Sequence, residues 1–408
     1  MAEKAALVLV LVLVALVFAD QAFVGLNGNK TDLVLQPPAG GQVVVDGVAF
    51  RALVEKLDTL ATRVKELDTL ETQVETLTNQ LDGYQCVTVA DTTTITGLSG
   101  NEKWSGGVLA GNGKIYGIPS RSTSVLIIDP TTNTADTTTI TGFSADCCKW
   151  AGGVLAGNAK IYGIPSRSTS VLIIDPSTNT ADTTTIVGLS GDDKWFGGVL
   201  AGNGRIYGIP WSSTSVLIID PTTNTTDTTT ITGLSGTVKW YGGVLADSGK
   251  IYGTPDQATS VLIIDPTSNT ADTTTITGFG GPAGRWVGLL AGNGKIYGIP
   301  AYTTSVLIID PTTNTVDTTT ITGFASGGAK WFGGVLAGNG KIYGIPSEST
   351  SVLIIDRSTN TVDTTTITGL SGSVKWFGGV LAGNGKIYGI PYNSASVLII
   401  KRDCNWGL

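Results

Sequence analysis

The chain has 408 residues, a formal net charge of −7 and no histidine. Without imidazole there can be no serine–histidine nucleophile, histidine zinc site or facial-triad iron site, and no metal or cofactor is expected. An acidic balance of 32 Asp and Glu against 25 Lys and Arg, with no basic stripe, argues against a nucleic-acid partner.

Residues 1–19 open the chain. Ala5 to Ala19 is unbroken apolar sequence between Lys4 and Asp20, shorter than the ~20 residues a spanning helix needs. Val17 and Ala19 supply the small residues expected before a cut at Asp20. The segment therefore predicts a cleaved secretory signal, with a retained anchor as the alternative, and no stable membrane span. An extracellular location follows, where cysteines oxidise. There Asn29 (before Lys30-Thr31) and Asn224 (before Thr225-Thr226) are glycosylation acceptors.

Residues 20–47 carry two short β-like runs, Leu33-Val34-Leu35 and Val43-Val44-Val45, around Pro37-Pro38 and Gly40-Gly41. Residues 48–83 then take a helical period, with Asp46 as N-cap and Asp82-Gly83 as the stop. Apolar positions Phe50, Leu53, Leu57, Leu60, Val64, Leu67, Leu70, Val74, Leu77 and Leu81 form a heptad seam with one three-residue stammer. The expectation is a coiled coil of about 50 Å that joins two or three copies of the chain. A helix lying on the following domain is the alternative.

From residue 84 to residue 408 the chain is repetitive. Tryptophans recur at 104, 150, 195, 240, 286, 331 and 376, spaced 45 or 46 residues apart. A period of that length is the mark of a repeat architecture. In the first unit Trp104–Ala110 reads as a strand, and Gly111-Asn112-Gly113 supplies the positive φ of a tight turn. Lys114–Ile118 is a second strand ending at Pro119. Val125-Leu126-Ile127-Ile128 is a third, apolar throughout as for a strand covered on both faces. Asp136–Thr141, alternating Thr and Ile, reads as the fourth. Four short antiparallel strands per unit describe one blade of a β-propeller.

The Asp-Thr-Thr-Thr-Ile run occurs seven times, at Asp91, Asp136, Asp182, Asp227, Asp272, Asp317 and Asp363. The first copy precedes the first tryptophan, and the last unit ends after Ile400 without one. The N-terminal copy is therefore expected to complete the last blade, closing an all-β, seven-bladed ring and removing an exposed edge. Counting along the repeat, Cys86 aligns with Thr131 and Cys404 with Thr132, in the one turn left open by the termini. This predicts a Cys86–Cys404 disulfide. Cys147 and Cys148 are adjacent in an interblade loop, as a vicinal disulfide or as two thiols.

Repeated aspartates end the third strand (Asp129 and its copies) and begin the fourth. A carboxylate at a turn accepts local backbone N–H groups, and one per blade is too dispersed for a hard cation. The repeated Trp and Lys are expected to pack between blades with the lysine ends reaching solvent.

The copies differ on one face. After the Ile-Pro or Thr-Pro step come Ser120-Arg121, Ser166-Arg167, Trp211-Ser212, Asp256-Gln257, Ala301-Tyr302, Ser347-Glu348 and Tyr392-Asn393. The residue after each tryptophan also changes: Ser105, Ala151, Phe196, Tyr241, Val287, Phe332, Phe377. Loops on a rigid scaffold carry binding, so Arg121, Arg167, Trp211, Asp256, Tyr302, Glu348 and Tyr392 are candidate ligand contacts; drift in tolerant loops is the other explanation.

At Ile115-Tyr116-Gly117-Ile118-Pro119 and Ser124-Val125-Leu126-Ile127-Ile128-Asp129-Pro130-Thr131-Thr132-Asn133-Thr134 the unit resembles the YVTN-type propeller repeats of extracellular and surface-layer proteins. The likeness spans all seven units and leaves out residues 1–83. The namesake Tyr-Val-Thr-Asn is Tyr-Gly-Ile-Pro here, and the unit is slightly longer. The resemblance implies an extracellular propeller and brings no general catalytic residue. The leading expectation is a secreted, non-enzymatic display protein that recognises a glycan or an extracellular protein through the variable face. A carboxylate-dependent polysaccharide lyase or hydrolase using the channel is an alternative, although Gly106-Gly107-Val108-Leu109 offers it little chemistry. A purely structural matrix component is another.

Overall fold

The computed structural model describes residues 23–26, 33–36, 43–45, 59, 62–63, 65–67, 69–74, 86–279 and 286–404. The chain divides into two compact units, Met1–Gln85 and Cys86–Leu408. In the first, Phe23–Leu26, Leu33–Gln36 and Val43–Val45 pair antiparallel in sequence order. The described residues between 59 and 74 are helical, with Leu67, Leu70 and Val74 exposed by 64, 55 and 54%. The signal segment 1–19, Asn29 and much of the expected heptad seam lie outside the described residues.

The second unit is a seven-bladed β-propeller: seven antiparallel sheets of four strands each. Blades 1 to 7 are numbered from their tryptophans, Trp104 to Trp376. Blade 1 runs Trp104–Leu109, Ile115–Pro119, Leu126–Asp129 and Thr134–Asp136. In the seventh sheet the fourth position is taken by Cys86–Asp91, paired with Leu398–Cys404 from Ile399↔Asp91 to Cys404↔Cys86.

The fourth strand differs from the expectation. It is the three-residue segment Thr134–Asp136 and its equivalents, and the Thr run that follows is a bend. The aspartate causes this. Asp136 Oδ1 accepts the amides of Thr138 (2.7 Å) and Thr139 (3.2 Å), so those donors are withdrawn from any ladder. The Thr138 and Thr139 hydroxyls bond the same carboxylate. Ile140 then turns into the core. For the same reason the strand in the seventh sheet ends at Asp91 and does not run from Asp91 to Thr96.

The core is divided among the junctions between blades. Trp104 of blade 1 packs with Ile115, Leu126 and Ile128 of its own blade and with Val380, Tyr388 and Ile390 of blade 7. Its Nε1 donates to Ser124 O at 2.8 Å, which satisfies the buried indole. Trp150 and Trp376 make the same bond to Ser170 and Ser396.

In six blades the innermost strand carries a β-bulge. Pairing jumps from Trp104↔Pro119 to Gly107↔Gly117, and Gly106 in the gap has φ 80°. These glycines face one another around the axis: a Cβ added to Gly197 would lie 3.2 Å from Gly242 Cα. Blade 5 reads Trp286-Val287-Gly288, one residue shorter, and pairs without a bulge.

Candidate functional site at the mouth of the ring

The variable positions form two circles. The first residue after each proline is buried or half-buried: Ser120, Ser166, Trp211, Asp256, Ala301, Ser347 and Tyr392. The second is exposed in most blades, at Arg121, Arg167, Gln257, Tyr302 and Glu348. The residue after each tryptophan, at the bulge in every blade but the fifth, joins the inner circle.

The outer circle is largely tied to the interblade loops. Arg121 Nε lies 3.1 Å from Glu102 Oε2. Arg167 clasps Asp193 through Nε at 2.8 Å and Nη2 at 3.0 Å, a bidentate pair that raises the guanidinium pKa further. Glu348 Oε2 accepts the Ala329 amide at 3.0 Å. Tyr302 stands 40% exposed. Asp256 is 4% exposed and lies beneath the surface, accepting Trp211 Nε1 at 3.0 Å. Trp211 and Asp256 thus form a bridge between blades 3 and 4.

The inner circle converges on the axis, which sequence reading missed. Tyr241, Phe332, Ala301 and Ala329 are buried in one cluster, with Phe196, Val287 and Phe377 packed against it. Phe196 of blade 3 meets Tyr241 at 3.7 Å between centroids and reaches Phe377 of blade 7 at 6.0 Å. Phe332 stacks on Phe377 at 4.1 Å, and Phe377 on Tyr392 at 5.0 Å. Burial pushes the Tyr392 hydroxyl up to about 12, so it stays protonated. The rings floor a pocket of about 250 Å³ whose walls include Trp211, Tyr392, Cys148, Arg167, Ser120 and Ser166. The only signal in the sequence was that four of the seven residues after tryptophan are aromatic.

The lysines before the tryptophans correct a second expectation: their ends do not reach solvent. Lys103 is 4% exposed, and its Nζ donates to Gly100 O (2.6 Å), Tyr392 O (2.9 Å) and Ser394 O (3.0 Å). Lys149, Lys194 and Lys375 repeat the cage, each grasping carbonyls of the preceding blade. Burial lowers Lys103 to about 8, so it is still mainly an ammonium at neutral pH. These cations strap blades together and are not available to a ligand.

The aspartates are engaged as turn caps. Asp129 Oδ1 accepts the Thr131 amide at 2.9 Å. Among the described residues, no group of three or more His, Cys, Asp or Glu could hold a metal ion. Cys147 and Cys148 are joined in a vicinal disulfide, and Cys148 has φ 64°.

On the opposite face, among the described residues, a tyrosine couples one blade to the next at six junctions. Tyr116 OH donates to Asn179 Oδ1 at 2.7 Å, while Asn112 Nδ2 donates to Pro176 O at 3.1 Å. Asn224 is held in this way by Tyr162 OH at 2.7 Å. Its φ of 52° is the left-handed geometry that asparagine tolerates.

Solved structures share the fold. A streptogramin B lyase superposes with a TM-score of 0.59 at 11% identity, over 78% of this chain and 99% of that one. Virginiamycin B lyase from Staphylococcus aureus with quinupristin, a catalytically inactive histidine-to-alanine variant, gives 0.61 at 9% identity, over 77% and 99%. The extracellular domain of a one-component system from B. thetaiotaomicron gives 0.54 at 11% identity, over 74% of this chain and 41% of that one. No family model and no curated protein matches the chain. At these identities the likeness shows the fold alone, a seven-bladed β-propeller.

Proposed function

We propose that the chain is a secreted, non-enzymatic recognition protein that binds a glycan at the mouth of the ring and presents it on a self-associating stalk. The observation that carries this is the pocket of about 250 Å³, floored by rings and edged by Trp211, Tyr392 and serine hydroxyls. Aromatic faces with nearby hydroxyls suit the mixed apolar and polar surface of a sugar. The exposed Leu67, Leu70 and Val74 support the stalk, as a seam awaiting its own kind. Joining two or three rings would amplify weak single-site binding.

Extracellular placement draws support from the apolar leader, from the YVTN-like repeat and from the extracellular bacterial domains that share the fold. Cys86 and Cys404 are Cα partners at the end of the terminal ladder. We assign them the disulfide that locks the seam. Asn224 is already an interblade partner, so Asn29 is the stronger glycosylation acceptor.

The lyase reading loses ground. The structural neighbour is inactive when a histidine is replaced, and this chain has none. Asp193, the carboxylate among the described residues that line the pocket, is already clasped by Arg167, and Asp256 beneath it is bonded to Trp211. A glycan array on the full chain is the test. Binding that falls at least tenfold in Trp211→Ala supports recognition; an array that stays blank refutes it. Turnover of any polysaccharide that is sensitive to Asp193→Asn would install the enzyme instead.

A further inference from the structure

The pocket at the mouth is lopsided. Rings follow the tryptophan in blades 3, 4, 6 and 7, but blades 1 and 2 place Ser105 and Ala151 there, both buried. At the next inner position small residues recur in blades 1, 2, 5 and 6, and only in blades 1 and 2 do they coincide with a Ser or Ala after the tryptophan. Ser120 and Ser166 occupy blades 1 and 2, flanked by Trp211 of blade 3 and Tyr392 of blade 7. Small residues in two adjacent sectors leave a hollow where a seven-fold floor would have been filled.

We propose that this hollow over blades 1 and 2 seats one neutral terminal pyranose, a single sugar ring at the end of a glycan. The inference rests on the recognition reading above and names its ligand class. Size comes first: about 250 Å³ is below the ~300–1,000 Å³ of sites for drug-sized ligands, so one ring is the natural load. Charge comes second. At the rim Arg167 is paired with Asp193 and Arg121 with Glu102, and Lys103 and Lys149 are caged by carbonyls. Among the described residues that line the pocket, a charged sugar would find no open counter-charge and would pay desolvation without return. Chemistry comes third. A pyranose has a C–H face to lie on Phe196 or Phe377 and a hydroxyl edge to meet Ser105, Ser120 and Ser166. Cys148, its sulfur bonded to Cys147, adds a polarisable wall on the same side.

The test fills the hollow with the residue that the other blades carry. Saturation-transfer NMR on the full chain would use methyl hexopyranosides, sodium glucuronate and p-cresol as probes. At least one methyl hexopyranoside should bind the wild-type chain, and glucuronate should bind at least tenfold more weakly. Ala151→Phe should reduce glycoside binding at least tenfold while the melting temperature holds. Ser105→Leu serves as the second filling variant if Ala151→Phe fails to fold. Gln257→Ala, in the outer circle and outside the pocket lining, should change binding less than threefold.

Glycoside binding that survives both filled variants overturns the seat. So does stronger binding of p-cresol than of every glycoside, which would make the occupant an aromatic side chain of a protein. If the array is positive but binding depends on Gln257 and survives the filled variants, recognition by the face stands and the terminal-sugar seat falls. If the array is blank, both fall.

Discussion

Asp136 shows how one repeated side chain shapes the whole molecule. Its carboxylate is held at about 2, first by the Thr139 hydroxyl and then, against burial, by the Thr138 amide. Asp91, Asp182, Asp227, Asp272, Asp317 and Asp363 are held at about 2 as well. The folded value lies below the ordinary 3.8, so between the two the unfolded chain binds more protons. The stabilisation is complete above about 4 and is lost as pH falls through about 2. Calorimetry across this range should therefore show a flat melting temperature above pH 4 and a steep decline below it. A decline centred near pH 6 would contradict the assignment. That these aspartates cap turns was legible in the sequence, because a carboxylate followed by threonines has local donors. The lysine cages were not legible, because their carbonyls come from the neighbouring blade and carry no side-chain signature.

At the scale of the strand, Gly197 is required twice, by φ and by crowding. It has φ 70°, and a Cβ added to it would lie 3.2 Å from Gly242 Cα. Gly197→Ala should cost about 1–3 kcal/mol in chemical denaturation. Gly202 has open space around it, and Gly202→Ala should stay within about 0.5 kcal/mol. Blade 2 supplies a converse case. Ala159 occupies φ 62° where the other blades have glycine, such as Gly113 at 78°. Ala159→Gly should raise stability by about 0.5–1 kcal/mol, and a loss would show that the turn is not strained. Strand order and turn positions could be read from the repeat, whereas the missing bulge of blade 5 is hidden by a period that stays at 45 residues. The extent of the fourth strand could not, since β-branched threonines suit a ladder that the aspartate had already disarmed.

For the molecule as a whole, the count of seven was readable from the tryptophan period, whereas the axial aromatic floor was not. That floor brings together residues such as Phe196 and Phe377, which are remote in sequence and meet only once the ring exists. The ring is sealed where the two ends of the described chain pair, from Ile399↔Asp91 to Cys404↔Cys86. The proposed Cys86–Cys404 bond would close that seam covalently. On the loop-entropy model a bridge across so long a loop contributes about 4–5 kcal/mol. Cys86→Ser should lower the melting temperature by several degrees, whereas breaking the Cys147–Cys148 link alone should not. Non-reducing peptide maps that never join Cys86 to Cys404 would withdraw the assignment.

The couplings at successive junctions are nearly interchangeable: the same tyrosine reaches the same asparagine, and the same lysine the same carbonyls. A copy that opened at its terminal sector would therefore expose two surfaces complementary to those of any other opened copy. Such molecules would concatenate as readily as they reclose, and chain concentration would decide between circle and polymer.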